Sequence, residues 1–252
     1  MAINPMEQFE IHRIGPPLHL FGYDVSFTNQ SLFMCIVVAL VTLFFALGVS
    51  RPKLVPSRLQ SMAEVSYEFV ANMIKSAAGN DGLVFFPFVF SIFFFILFSN
   101  FLGLIPGAFT VTSQIIVTFS LTVLVLGTVV VVGFAKHGIG FLMLFVPKAP
   151  WYIVWLLVII EVISFLSRLV SLSVRLFANM LAGHTMLQVF ASFVIALGAA
   201  GAILKPLAIA PMLMILFVGA LEMLVAFLQA YVFAVLTCIY LNEALHLHGE
   251  HH

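Results

Sequence analysis

Charge is what this chain has least of. Ten Lys and Arg and ten Asp and Glu make up 8% of its 252 residues, against about 25% in a soluble domain. The formal net charge is zero, so nothing marks nucleic acid or an acidic substrate as a partner. Cysteine is almost missing too. Cys35 and Cys238 lie in separate apolar segments without CxxC spacing, which argues against a disulfide framework or metal site and reads them as small core residues. No GxxxxGK[ST] run occurs, so the chain carries no P-loop for ATP, and no cofactor is expected. The opening MAINPMEQFEIHRI has Glu7 and Glu10 but neither a basic stretch nor an apolar core, and does not read as a cleaved signal peptide. Repeats of fixed period and Pro-rich or Ser-rich linkers are also absent.

What fills the space is apolar. The composition is 63% hydrophobic with 28 phenylalanines and a mean hydropathy of +1.21, which predicts an all-α polytopic membrane protein. Counting windows of about 20 apolar residues divides a single membrane domain, residues 1–252, as follows. After an outer-side segment (1–29), residues 31–50 form a first span, ended by Arg51-Pro52-Lys53. Residues 54–78 differ, because Leu59, Met62, Ala63, Val70, Met73, Ile74 and Ala77 recur at helical spacing while Arg58, Glu64, Glu68, Asn72 and Lys75 share the other surface. That pattern predicts an amphipathic helix lying on the membrane surface. Gly82 to Ala135 contains no Asp, Glu, Lys or Arg and is long enough for two crossings (84–105 and 113–134), with Pro106-Gly107 as the turn. Two longer apolar stretches follow, 151–200 and 206–245. About 40 helical residues reach about 60 Å, twice the hydrocarbon core, so these helices must tilt strongly, kink or extend past the membrane. Gly183, Gly198 and Gly201 offer places to bend. The expected fold is five transmembrane crossings plus one surface helix, with the last two helices as a hairpin.

Orientation follows from the basic residues. With the N-terminus outside, Arg51, Lys53, Arg58, Lys75, Lys136 and Lys148 lie inside and only Arg13 and Lys205 outside, as the positive-inside rule prefers. The C-terminus is then cytoplasmic. The terminal HLHGEHH reads as a frayed tail rather than a metal-binding tract.

With loops set aside, the charges left within the spans are Glu161, Arg168, Arg175 and Glu222. An arginine inside a span costs from about 3 kcal/mol on insertion scales to more than about 10 in simulations, so it must be paired, wet or functional. Glu161, Arg168 and Arg175 are spaced by seven, which drifts only about 20° per step and places them on one face. Ser164, Ser171 and Asn179 fall on the same stripe. Such a face cannot meet lipid and must line a water-filled path or another protein surface. His184, nine residues past Arg175, points to the far side. Glu222 and Gln229 share a face of the last helix, and an antiparallel hairpin turning near Ile203 sets Glu222 opposite His184, with Gln229 within about a turn of the level of Arg175. A histidine beside a carboxylate is a proton relay. Glu161 lies toward the inner end of its helix and the His184–Glu222 pair toward the outer end, about 21 and 13 Å of helix from Arg175. One open pore has no use for a fixed positive barrier between two titratable clusters; two offset half-channels do. The structural alternatives are an ion pair between Glu161 and Arg168, a histidine bonded within the bundle, and an arginine snorkelling to the interface.

SLSVRLFANMLAGH around Arg175, NFLGLIP from Asn100 to Pro106 and LQAYVFAVLTCIYL around Gln229 resemble the three motifs of subunit a of F-type ATP synthases. The first carries that family's R-L-x-x-N-x-x-x-G core. The likeness covers nearly the whole chain and implies a stator subunit beside a rotating c-ring. By that resemblance Arg175 faces the ring carboxylates, with Gln229 and Asn179 in the same contact zone. Glu161 and Ser164 match inner half-channel positions, and His184 and Glu222 the outer ones. In some bacterial members the acid precedes the histidine; here the histidine comes first, as in mitochondrial and related bacterial forms. The resemblance further implies c-ring subunits, peripheral-stalk b subunits, the rest of the synthase and the lipid bilayer as partners, no catalysis by the chain alone, and a bacterial inner membrane, with the mitochondrial inner membrane as the alternative location. The rival class is a secondary transporter with an intramembrane ionisable substrate site. It calls for broken helices in two related halves, which the sequence does not display.

Overall fold

A computed structural model describes residues 10–14, 19–20, 23–24, 26–50, 55–105, 107–145, 151–199 and 205–246. Six α-helices carry the described chain: α1 (Asn29–Val49), α2 (Arg58–Ala78), α3 (Phe86–Gly103), α4 (Ile115–His137), α5 (Trp151–Ala199) and α6 (Ile209–Leu245). Extended structure among the described residues amounts to a pair of two-residue strands, β1 (His19–Leu20) and β2 (Tyr23–Asp24), and one bridge from Arg13 to Thr28. Five helical segments are long and apolar enough to cross a membrane: Asn29–Val49, Asp81–Gly103, Ile115–Phe141, Tyr152–Ala199 and Pro206–Leu245. In such segments every backbone group is satisfied within the helix, which is the condition for crossing lipid. The basic residues Arg51, Lys53 and Lys148, the proposed turn at Ile203 and the tail beyond His246 lie outside the described residues.

The remaining helix, α2, is the one with two unlike faces. It begins at Arg58 because Ser57 takes the N-cap position in extended conformation, its hydroxyl accepting from the Gln60 N–H and so satisfying a donor the helix leaves free. It ends where Gly79 adopts φ +69° and returns its N–H to the Lys75 carbonyl, a conformation that favours glycine. Gln60, Ala63, Val70, Met73, Ile74 and Ala78 are buried while Glu64, Glu68 and Lys75 are exposed.

At 49 and 37 residues, α5 and α6 run about 74 and 56 Å. Both exceed a hydrocarbon core of about 30 Å, so tilt or overhang is built into their length.

The chain divides into two compact units. The first gathers Met1–Thr42, Phe95–Gln114 and Leu176–Ala230; the second gathers Leu43–Phe94, Ile115–Arg175 and Tyr231–His252. The second is held by aromatic packing. Phe45, Phe90 and Phe94 form a triangle with ring centroids 4.6–4.9 Å apart, Tyr67 packs on Phe86 at 4.5 Å, and Phe69 reaches both Phe93 and Tyr231. Lipid tails are as apolar as leucine, so close packing of this kind has to supply much of the association energy that water supplies elsewhere. On α4 of the same unit, Thr118, Thr122, Val125, Val129 and Gly133 make one buried stripe at helical spacing. The threonine hydroxyls donate to carbonyls of their own helix, which lets them lie in an apolar interior. The first unit is different in kind, since a cluster of polar side chains is buried among its apolar ones. The two cysteines part company: Cys238 is fully buried, but Cys35 is exposed on α1, so the reading of both as core residues holds for Cys238 alone.

Candidate functional site

In the first unit His184 of α5 and Glu222 of α6 face each other, with His184 Nε2 3.5 Å from Glu222 Oε1. They are 7% and 3% exposed. This is the antiparallel register expected from the spacing of the two helices. Gly183 makes the approach possible, because a Cβ there would stand 2.7 Å from Glu222 Oε1 and 2.9 Å from its Cδ. The glycine is therefore a contact surface for the carboxylate, within a helix that continues through it. Neither oxygen of Glu222 has a hydrogen-bond partner among the described residues. An ionised carboxylate buried in that way is costly unless a cation compensates it, and the group in place to do so is the imidazole. Among the described residues two further buried oxygens, Gln188 Oε1 one turn along α5 and Ser99 Oγ on α3, have no hydrogen-bond partner and add to this polar cluster.

The pair rests on a hydrogen-bonded frame. Asn100 of α3, fully buried, donates from Nδ2 to the Ala226 carbonyl at 3.1 Å and accepts at Oδ1 from the Thr112 hydroxyl at 2.8 Å. Ala226 lies one turn past Glu222 on α6, so the two bonds together tie the segment after α3, through Asn100, to the helix that carries the acid. Two residues before Thr112, the Thr110 hydroxyl lies 3.2 Å from His184 Nε2. Gln229, two turns along α6 from Glu222, is buried as well, at 9% exposed, whereas Asn179 on α5 is exposed.

The second unit holds the other predicted residues. Arg175 is exposed, its Nη2 donating to the Ser171 hydroxyl one turn back at 3.4 Å. Glu161 and Ser164 are half-buried on the same helix. Arg168 donates from Nη1 to Glu243 Oε2 on α6 and stands over the Tyr240 ring at 5.1 Å from its centroid, an ion pair with a cation–π contact behind it. This replaces the alternative of an ion pair between Glu161 and Arg168. It also corrects the count of charges within the spans, since Glu243 lies inside α6, within the 206–245 stretch. At the end of α6, His246 meets Asp81 at 3.4 Å and Asn242 at 2.9 Å.

Four residues in these clusters escape a reading of single helices. Thr110 and Thr112 lie in a short connecting segment with no periodic signal. Asn100 drew attention only as part of NFLGLIP. Glu243 sits two residues from the end of α6, where a helical charge and a loop charge look alike in sequence.

A family model described as "ATP synthase A chain" matches residues 31–242. The chain is 58% identical over 245 residues to "ATP synthase subunit a" of Mesorhizobium japonicum, covering 97% of each chain. It is 59% identical over 247 residues to the protein of the same name from Chelativorans sp., covering 98% of this chain and 99% of the relative. It is 56% identical over 251 residues to that of Allorhizobium ampelinum, covering 99% and 100%.

Proposed function

Because the chain belongs to the ATP synthase A chain family and is the proton-translocating stator subunit of an F-type enzyme, we propose that its two polar clusters serve two offset half-channels. It is a multi-pass protein of a bacterial inner membrane and works with the rest of that complex. The N-terminus lies outside and the C-terminus in the cytoplasm. Protons enter the outer half-channel, reach the buried His184–Glu222 pair, and pass to a carboxylate on the rotating c-ring. Once neutral, that carboxylate can travel through lipid, since burying a protonated acid costs far less than burying its ion. After nearly a full turn it meets the inner half-channel, lined by Glu161 and Ser164, and releases its proton.

Arg175 stands between the two routes as a charge that cannot be removed at any working pH. It favours the ionised form of the ring carboxylate and so promotes release, and it repels protons that would otherwise run straight from one half-channel to the other. Asn179 and Gln229 belong to the same contact zone. Each proton crossing 100 mV supplies about 2.3 kcal/mol, which the ring turns into torque. The chain performs no catalysis alone, and the peripheral-stalk b subunits hold it against rotation.

The observation that carries this reading is the buried pair itself: a histidine 3.5 Å from a carboxylate that has no hydrogen-bond partner among the described residues. Arg175→Ala provides the test. In inverted membrane vesicles carrying the whole synthase it is expected to abolish coupled ATP synthesis while letting protons leak passively. Normal ATP-driven pumping in that variant would end the proposal.

A further inference from the structure

The threonine ahead of α4 carries more than its place in a connecting segment suggests. Thr110 takes the N-cap position of the short 3₁₀ turn Val111–Ser113, yet its hydroxyl makes no capping bond. A threonine at such a position ordinarily turns its oxygen onto the following N–H groups. Here the hydroxyl lies 3.2 Å from His184 Nε2 instead, with the residue 3% exposed. The same nitrogen faces Glu222 Oε1 at 3.5 Å. One ring nitrogen thus meets two oxygens, and it has a single position for either a proton or a lone pair.

That arrangement has two states. With Nε2 unprotonated, the Thr110 hydroxyl donates to it and holds the ring in place. With Nε2 protonated, its N–H turns to the oxygens, and the carboxylate is the stronger acceptor. The hydroxyl rotates without moving a heavy atom, so it can serve both states while the imidazole stays put.

The surroundings hold Thr110 to this task. Its carbonyl accepts from the Ser113 hydroxyl at 2.7 Å and from the Ser113 N–H at 3.2 Å. Gly103 backs its side chain so closely that a Cβ there would lie 2.7 Å from Thr110 Cγ2. The Asn100–Thr112 frame fixes the same segment to α6. A side chain this well supported, with its usual capping bond given up, is placed for the histidine.

We propose that Thr110 is a positioning residue that holds His184 Nε2 ready to exchange a proton with Glu222. This rests on the reading of His184 and Glu222 as proton carriers, so the experiment keeps the two apart. Proton flux is measured in vesicles containing the whole synthase, per assembled complex, for Thr110→Val, Thr110→Ala, Thr110→Ser and Glu222→Gln. Thr110→Val and Thr110→Ala are expected to slow flux roughly fivefold, the equivalent of one ordinary hydrogen bond, while Thr110→Ser stays within about twofold of the parent. The nitrogen-15 resonances of the His184 ring should also shift in both hydroxyl-free variants. Parental flux in Thr110→Ala, or Thr110→Ser as slow as Thr110→Ala, overturns the role of the hydroxyl while a slow Glu222→Gln leaves the carrier pair standing. Parental flux in Glu222→Gln overturns both.

Discussion

The first unit's polar cluster, His184 with Glu222, is buried and held at short range; the second unit's, Arg168 with Glu243, is partly open. His184 and Glu222 are 7% and 3% exposed and packed against a glycine. Arg168 and Glu243 keep 28% and 31% of their side-chain surface accessible, and Arg175 is exposed outright. Burial decides what each can do. A buried carboxylate without a hydrogen-bond partner among the described residues, with an imidazole 3.5 Å away, suits a group that must gain and lose a proton. A half-exposed Arg–Glu pair is permanently charged at one end and contributes under about 1 kcal/mol, which suits a fastener between helices. Removing one member of a buried pair costs about 3–5 kcal/mol, so the two clusters should respond very differently to the same chemical change.

The largest contrast is expected from matched amide substitutions. Glu222→Gln should cut proton flux through the membrane sector by at least about tenfold, the lower range for loss of a positioned acid–base group. Glu243→Gln should change it by less than about twofold. Equal losses in vesicle proton-uptake assays would erase the distinction between carrier and fastener. Next in size is Gly183→Ala, whose methyl would meet the Glu222 carboxylate at 2.7 Å. The acid can swing aside, so a loss of several-fold in flux is expected with normal assembly of the complex; parental flux would show that the close approach is not needed. Smallest is the exchange of Arg168 and Glu243 for each other. Either single reversal, Arg168→Glu or Glu243→Arg, puts like charges together and should lower the thermal stability of the detergent-solubilised complex, while the double reversal should recover most of it. A double variant no more stable than the singles would mean that the pair is not the fastener.

Much of the fold was legible because membrane helices declare themselves by composition. Asn29–Val49 and Ile115–His137 contain little that water would accept, and the switch to a two-faced pattern singles out α2. The facing of His184 and Glu222 was also within reach, since two long antiparallel helices with one short turn leave few registers. Partners drawn from elsewhere were not. Thr110 lies 74 residues from His184, Glu243 lies 75 from Arg168, and Asn100 lies 126 from Ala226. No periodicity links positions so far apart. The second use of Gly183 is of the same kind: in a sequence a glycine signals a possible bend, and only the neighbouring helix reveals that its missing side chain makes room for a carboxylate.

The sequence by itself determined the solvent this protein lives in, the number of apolar helices and which side chains share a face of α5. Those properties belong to single helices, where a repeat of 3.6 residues and the cost of charge in lipid settle the outcome. Tertiary structure alone decided that a threonine hydroxyl stands beside the histidine, that Asn100 braces the frame, and that Arg168 answers to Glu243 and not to Glu161. Hydrogen bonds and ion pairs act over about 3 Å, so their partners are chosen by how helices pack and not by where residues fall along the chain.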